Sequence, residues 1–117
     1  MIVSQIIVYV ADMAKQVAFY RDVLGLSVAY PHVEDYGNES WAAFGTGDCT
    51  FALHSGGSEG SSADAPRFNF EVDNIHTAHA QLAQQGVWVG DIRSPIPNVY
   101  VFDTQDAEGN YFTLRQS

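Results

Sequence analysis

The chain has 117 residues, of which 46% are hydrophobic and 16% are charged. These values are typical of one globular domain and exclude a disordered chain. Fourteen acidic residues against five basic ones give a formal net charge of −9. This excess of acid argues against nucleic-acid binding, which needs clustered Lys and Arg to contact phosphates, and favours cationic partners.

The sequence lacks the usual marks of a secreted or membrane protein. Cys49 is the only cysteine, which excludes a disulfide framework and a Cys-rich zinc site. No apolar run approaches the roughly 20 residues that a membrane span needs. The N-terminus has no basic region followed by an apolar stretch and a cleavage site. We therefore expect a cytoplasmic protein without membrane contacts.

The first half of the chain predicts one strand, one helix and three short strands. Asp12 is a suitable N-cap for the helix, and Gly25 is a suitable stop. Turn residues separate the three short strands. In chain order, the predicted elements are residues 2–10, 13–24, 26–30, 41–44 and 50–54.

The second half repeats this order after a connector rich in Ser, Gly and Ala. Pro95 and Pro97 predict an interruption of regular pairing between its second and third strands. The elements are a strand at 67–72, a helix at 74–85 and strands at 87–89, 98–102 and 111–115. The repeated order predicts an internal duplication. We expect a single α+β domain over residues 1–117, with one βαβββ module at about 1–55, a connector at 56–66 and a second module at about 67–117.

Strict alternation divides several strands into an apolar face and a polar face. The apolar faces are expected to pack under the helices, and the polar faces have two interpretations: they contact bulk water, or the sheets curve and these faces enclose a ligand cleft. The polar positions are Gln5, Tyr9, Thr50, His54, Arg67, Asn69, Glu71, Tyr111, Thr113 and Arg115.

Three segments resemble the vicinal oxygen chelate superfamily, which includes glyoxalases, bleomycin-resistance proteins and extradiol dioxygenases. They are DMAKQVAFYRDVLGL (residues 12–26), FNFEVDNI (68–75) and DAEGNYFTL (106–114). The resemblance implies two βαβββ modules whose curved sheets face each other around a cleft, commonly in a homodimer. It is specific for the fold and says little about activity, because this scaffold supports many chemistries.

The resemblance also implies where a divalent metal would bind in the metal-dependent members. The corresponding positions are Gln5, Ala52 (or His54 in a shifted register), Arg67 and Thr113. Arginine offers only hydrogen-bond donors, and alanine offers no ligand atom. Since protein sites hold such metals with imidazole and carboxylate groups, we expect no metal and no other cofactor.

Three charged or titratable residues have both a functional and a structural interpretation. Arg67 is suited to bind a carboxylate or phosphate, or it forms an ion pair with Glu71 on the same strand face. His54 and Glu71 are the candidate catalytic bases, although a histidine at a strand end is commonly structural and Glu71 has two arginines within reach. Aromatic walls for a ligand are expected from Tyr9, Trp41, Tyr100 and Tyr111, with Trp88 as a further candidate.

These observations favour a metal-independent protein that binds a small aromatic or cationic compound, as in antibiotic-resistance proteins that sequester a drug. One alternative is a glyoxalase-like or lyase-like enzyme that uses His54 or Glu71 as base, or a metal held by a shifted set such as Gln5, His54 and Glu71. Another is a non-catalytic interaction module. The ligand-binding residues of the preferred hypothesis are Gln5, Tyr9, Trp41, His54, Arg67, Asn69, Glu71, Tyr100, Tyr111, Thr113 and Arg115.

Overall fold

The computed structural model describes residues 1–60 and 65–117, which form two compact units divided between Glu59 and Gly60. Four residues of the predicted connector lie outside the described residues. The first unit contains β1 (Gln5–Val10), α1 (Met13–Ala18), β2 (Ser27–Tyr30), β3 (Trp41–Gly45) and β4 (Thr50–Ser55). The second contains β5 (Asn69–Glu71), α2 (Ile75–Gln84), β6 (Arg93–Ile96), β7 (Val99–Gln105) and β8 (Tyr111–Gln116).

Each unit builds one four-stranded mixed sheet. The strand orders are β1-β4-β3-β2 and β5-β8-β7-β6, so the first strand of each module pairs in parallel with the last. Two βαβββ modules and an α+β fold, as predicted, are confirmed. No helix among residues 1–60 and 65–117 is long and apolar enough to cross a membrane.

The first helix begins as predicted but changes its geometry halfway. Asp12 caps it by accepting a hydrogen bond from the Lys15 amide at 3.1 Å. After Ala18 the chain continues as a π-helical turn, Phe19–Val23, closed by the Leu24 amide on the Phe19 carbonyl. Two consecutive aromatic rings at the start of this wider turn are buried, and the Tyr20 ring lies 4.8 Å from that of Phe51. The turn therefore anchors the helix on the apolar face of β4.

The predicted third element of the second module is wrong in position. Residues 87–89 make only an isolated bridge from Val89 to Thr104, and the strand β6 lies further along and contains Pro95. The prolines do not prevent a strand, because β6 lies at the edge of its sheet, but pairing is irregular as predicted: the register with β7 shifts between Arg93 and Ile96. Edge strands tolerate a proline, since only one side of the strand needs donors.

The apolar faces pack as the alternation predicts. In the first sheet Val10, Phe51 and Leu53 are buried, and in the second sheet Phe112 and Leu114 are buried. The helix α2 adds its own buried residues to the second core, and the ring of its His79 lies edge-on to Phe102 at 4.9 Å. The faces away from the helices are therefore the ones left for function.

Candidate functional site

The first sheet carries a row of three rings on the face opposite α1. Tyr9 in β1 pairs with His54 in β4, and His54 pairs with Trp41 in β3. The ring centroids of Tyr9 and His54 lie 5.0 Å apart, and those of Trp41 and His54 lie 6.1 Å apart. Tyr9 is 56% exposed. Three of the residues predicted to bind a ligand are thus adjacent on neighbouring strands.

The next row of the same face is built from small and apolar residues. Ile7 pairs with Ala52, Ala52 pairs with Ala43, and Ala43 pairs with Tyr30. Both alanines are buried, whereas Ile7 and Tyr30 are exposed. We call the face made by the ring row and this alanine row the ring face; its residues are Ile7, Tyr9, Tyr30, Trp41, Ala43, Ala52 and His54.

Three ring-face residues were predicted from the sequence as ligand-binding, but the alanine row was not. The signal was present: counting in twos from Trp41 along β3 gives Ala43, and counting back from His54 along β4 gives Ala52. Ala43 was not named, and Ala52 was named only as a metal position without a ligand atom. Both lack a functional group, which is the feature that sequence reasoning looks for.

Gln5 lies on the same face of the sheet but far from the rings. It pairs with Thr50, four residues before His54 on β4. At the usual rise per residue in a strand, this separation is about 13 Å. Gln5 and His54 therefore do not meet at one ion, and the shifted metal set that includes both residues is wrong.

The polar face of the second sheet is a charged surface. Asn69 pairs with Thr113, and the Thr113 hydroxyl donates to Asp103 at 2.9 Å. Asp103 also faces Arg93, whose two terminal nitrogens lie 3.3 and 3.4 Å from its carboxylate oxygens. Glu71 pairs with Arg115 in the strand register. We call this surface the charged face.

Arg67 lies two residues before β5 and is exposed. Its guanidinium carbon lies 5.0 Å from the centre of the Tyr111 ring, which is within the range of a cation–π contact. The Trp88 ring meets Tyr111 edge-on at 5.9 Å. These three residues form a ladder of a cation and two rings at one end of the charged face.

The predicted ion pair between Arg67 and Glu71 is absent among the described residues. The two positions are four residues apart along an extended chain, which is about 13 Å. Glu71 instead accepts hydrogen bonds from the amide and hydroxyl of Ser117, at 3.1 and 2.9 Å. These two hydrogen bonds hold the Glu71 carboxylate against Ser117 and give it a structural role beside its candidate role as a base.

Tyr100 does not join the other predicted ligand-binding residues. In β7 it alternates with Val101 and shares the side of Phe102, which packs against α2. Tyr100 is therefore on the helix side of the second sheet, and its prediction as an aromatic wall beside Arg67 is wrong. The register of β7, and not the type of side chain, decides on which side of the sheet Tyr100 lies.

The first unit also has an open groove of about 920 Å³ on another part of its surface. No residue from the predicted site lines it. A side-chain hydrogen bond with Asp22 raises the pKa of Arg21, and the same bond lowers the pKa of Asp22. This exposed pair neutralises the groove's arginine. The lining residues are Arg21, Leu26, Ser27, Val28, His32, Val33, Glu34 and Tyr36.

The sequence profile of the Glyoxalase/Bleomycin resistance protein/Dioxygenase superfamily matches residues 2–114. The chain belongs to this superfamily. No curated protein matches the sequence significantly.

Solved structures with this fold match nearly the whole chain at low sequence identity. The antibiotic binding protein TnmS3 from Streptomyces sp. CB03234 is 21% identical with a TM-score of 0.74, covering 99% of this chain and 95% of its own. Lactoylglutathione lyase from Agrobacterium tumefaciens is 20% identical with a TM-score of 0.76, covering 99% and 93%. The fosfomycin resistance protein FosX from Mesorhizobium loti is 14% identical with a TM-score of 0.72, covering 100% and 92%. At these identities the likeness concerns the fold.

At the metal positions that the resemblance implies, taken as Gln5, Ala52, Arg67 and Thr113, the residues do not fit a divalent ion. Ala52 has no ligand atom, Arg67 carries a positive charge, and the Thr113 hydroxyl donates to Asp103. Only the Gln5 amide offers a common type of ligand. Within residues 1–60 and 65–117, no cluster of three or more His, Cys, Asp or Glu is arranged to hold a metal.

Proposed function

We propose that this protein binds a small, planar, cationic aromatic compound on the ring face, without a metal, and sequesters it. The observation that carries the proposal is the row of Tyr9, His54 and Trp41 beside two buried alanines. Aromatic side chains bind flat molecules by stacking, and ring pairs of this kind contribute about 0.5–1.5 kcal/mol beyond area burial. Neither alanine places a polar group beside the rings.

Charge supports a cationic ligand. Residues 1–59 carry seven acidic and two basic side chains, yet none of them belongs to the ring face. A cation is therefore attracted by the field of the whole unit, meets no opposing arginine or lysine on the ring face, and can bind over the electron-rich ring faces. An anion is repelled by the same field and finds no arginine or lysine on the ring face to pair with.

The metal positions and one structural neighbour support binding over metal-dependent catalysis. An alanine, an arginine and a neutral threonine hydroxyl stand where the resemblance places the ligands that metal chemistry would need. TnmS3 is an antibiotic binding protein on the same fold. Its existence shows that this scaffold accommodates binding as a function, as fold alone does not decide activity.

The test is a fluorescence titration with 9-aminoacridine, a planar aromatic cation. We expect Tyr9→Ala to weaken binding about tenfold, because it removes one wall of the ring row. Tyr100→Ala is the matched control, an exposed tyrosine on the helix side of the other sheet, and it should leave affinity unchanged. Pretreatment with a chelator should also have no effect. Equal loss in both variants, or loss of binding after chelation, contradicts the proposal.

The enzyme alternative uses His54 or Glu71 as base; of the two, His54 lies in the ring row, whereas Glu71 is held by hydrogen bonds from Ser117. A histidine beside a bound compound is a possible proton acceptor. Mass spectrometry of the compound recovered after prolonged incubation separates the two functions. Recovery of the unaltered compound supports sequestration, and a changed mass or isomer favours the enzyme.

We also propose that the chain is a homodimer, as its superfamily resemblance implies. Sedimentation velocity at micromolar concentration tests this. A species with the mass of two chains, near twice 12.8 kDa, is expected. A monomer under the same conditions contradicts it, and a complex with an unrelated protein in cells would favour the interaction-module alternative.

A further inference from the structure

The two nitrogens of His54 have different environments. Nδ1 lies 2.6 Å from the carbonyl oxygen of Ser55. A carbonyl oxygen only accepts hydrogen bonds, so Nδ1 must carry the hydrogen. In the neutral imidazole this fixes the tautomer and leaves a lone pair on Nε2. The contact with the main chain thus turns His54 into an oriented hydrogen-bond acceptor.

No side chain or main-chain group among residues 1–60 and 65–117 bonds to Nε2. The nitrogen lies on the opposite edge of the ring from the Ser55 contact. Across the sheet, Tyr9 and Trp41 flank the same ring at 5.0 and 6.1 Å. The Tyr9 ring is tilted by 36° and the Trp41 ring by 84° from the His54 ring, so a flat ligand stacked on either neighbour would bring its edge groups close to an acceptor that has no other described partner.

The surroundings set the chemistry that this acceptor selects. The ring face has no carboxylate to pair with a ligand's positive charge directly. Its other ring-bearing acceptors are the phenol oxygens of Tyr9 and Tyr30, which belong to exposed residues, so the half-buried His54 supplies the acceptor that is more shielded from water. A partly buried acceptor strongly prefers a ligand that supplies a donor, because a ligand without one displaces water and leaves the lone pair unpaired. The preference is chemical rather than steric.

We propose that His54 Nε2 accepts a hydrogen bond from an N–H group on the ligand, so that the site selects amino-substituted aromatic cations over equally flat and equally charged compounds without N–H. This inference rests on the proposed function of the ring face. It adds a specificity residue and narrows the ligand class to heteroaromatic amines. His54 acts here as a binding group, with no proton transfer required.

The test compares two dyes of the same ring size and charge. The 9-aminoacridine cation has N–H donors, and 10-methylacridinium has none. In buffer at about pH 8, where imidazole side chains are ordinarily neutral, we expect the wild-type protein to bind 9-aminoacridine about fivefold more tightly or better. His54→Phe keeps a ring in the row and removes the acceptor, so the ratio of the two affinities should fall close to one.

The outcomes that would contradict the role of His54 differ from those that would contradict the proposed function of the ring face. If the wild type binds both dyes equally, or if His54→Phe keeps the preference, the inference is wrong while stacking on the ring face stands. If neither dye binds, the proposed function is wrong and the inference with it. His54→Gln supplies a second variant: its amide oxygen restores an acceptor, and it should recover part of the preference. The wild-type ratio decides the question even if a variant fails to fold.

Discussion

The ring face of the first sheet carries aromatic rings and alanines without a charged side chain, whereas the corresponding face of the second sheet carries Arg67, Glu71, Asp103 and Arg115. The two sheets nevertheless have the same strand order and the same parallel pairing of first and last strands. The two sheets therefore share a backbone pairing, while their faces away from the helices carry different side chains. Chemistry on this fold is set by one side of each sheet.

The last hairpins of the two modules also differ in charge: a carboxylate stabilises one, and a neutral hydroxyl stabilises the other. Between β7 and β8, the buried Asp106 carboxylate accepts hydrogen bonds from the Glu108 amide and from the Asn110 amide and side chain, at 2.9 to 3.0 Å. Between β3 and β4, the equivalent turn has a hydroxyl bond from Thr46 to the Cys49 carbonyl. One turn is stabilised by a buried carboxylate and the other by a neutral, partly buried contact.

The largest expected effect is on stability and comes from the second hairpin. Asp106→Ala leaves two main-chain amides and one side-chain amide without their acceptor in a buried turn, and should lower the free energy of unfolding by about 2–4 kcal/mol. Thr46→Ala, the equivalent change in the first module, should cost about 1 kcal/mol. Urea denaturation followed by circular dichroism measures both. Similar losses would show that the two turns contribute equally and would contradict the contrast drawn from their hydrogen bonds.

The alternation of residues predicted the strand faces, the repeated order of elements predicted the two modules, and an aspartate before the first helical residue predicted the cap. Prediction from neighbouring residues failed where the position of a residue in the assembled sheet was decisive. Pro95 is incompatible with a central strand but lies at an edge, which neighbouring residues do not reveal. Tyr100 was placed by side-chain type although its spacing from Phe102 already put it on the helix side.

Only part of the candidate site could be predicted from the sequence. His54 was named because a histidine at a strand end can act as a base or as a hydrogen-bond partner for a ligand. The orientation of its nitrogens depends on a main-chain contact that no pattern encodes. Which rings stand beside it depends on strand register, and Tyr9, His54 and Trp41 are far apart in the chain. Register follows from which face each strand buries, so it emerges only when the whole sheet is assembled.

The second prediction asks which module binds the ligand. Each module has one tryptophan close to its outward face: Trp41 in the ring row and Trp88 against Tyr111. Trp41→Ala should weaken binding of 9-aminoacridine by about 1–1.5 kcal/mol, roughly tenfold. Trp88→Ala should leave it unchanged, although Trp88 is half exposed. Isothermal titration calorimetry measures both, and the opposite ranking would move the site to the ladder of Arg67, Tyr111 and Trp88.

The smallest effect concerns charge on the second sheet. Arg67 and Glu71 are both exposed, so each should change the affinity of a charged planar ligand by less than about 1 kcal/mol, or roughly fivefold. Arg67→Ala should weaken binding of an anion such as 9-anthracenecarboxylate and slightly strengthen binding of 9-aminoacridine, because it removes a positive charge. Glu71→Ala should do the reverse. Both changes should disappear in about 1 M salt, where the screening length is about 3 Å.

If neither variant alters the affinity for either dye at low salt, the charged face takes no part in recognition and binding depends on the ring face alone. A change well above fivefold would instead show that these two side chains are shielded from solvent when the ligand is bound.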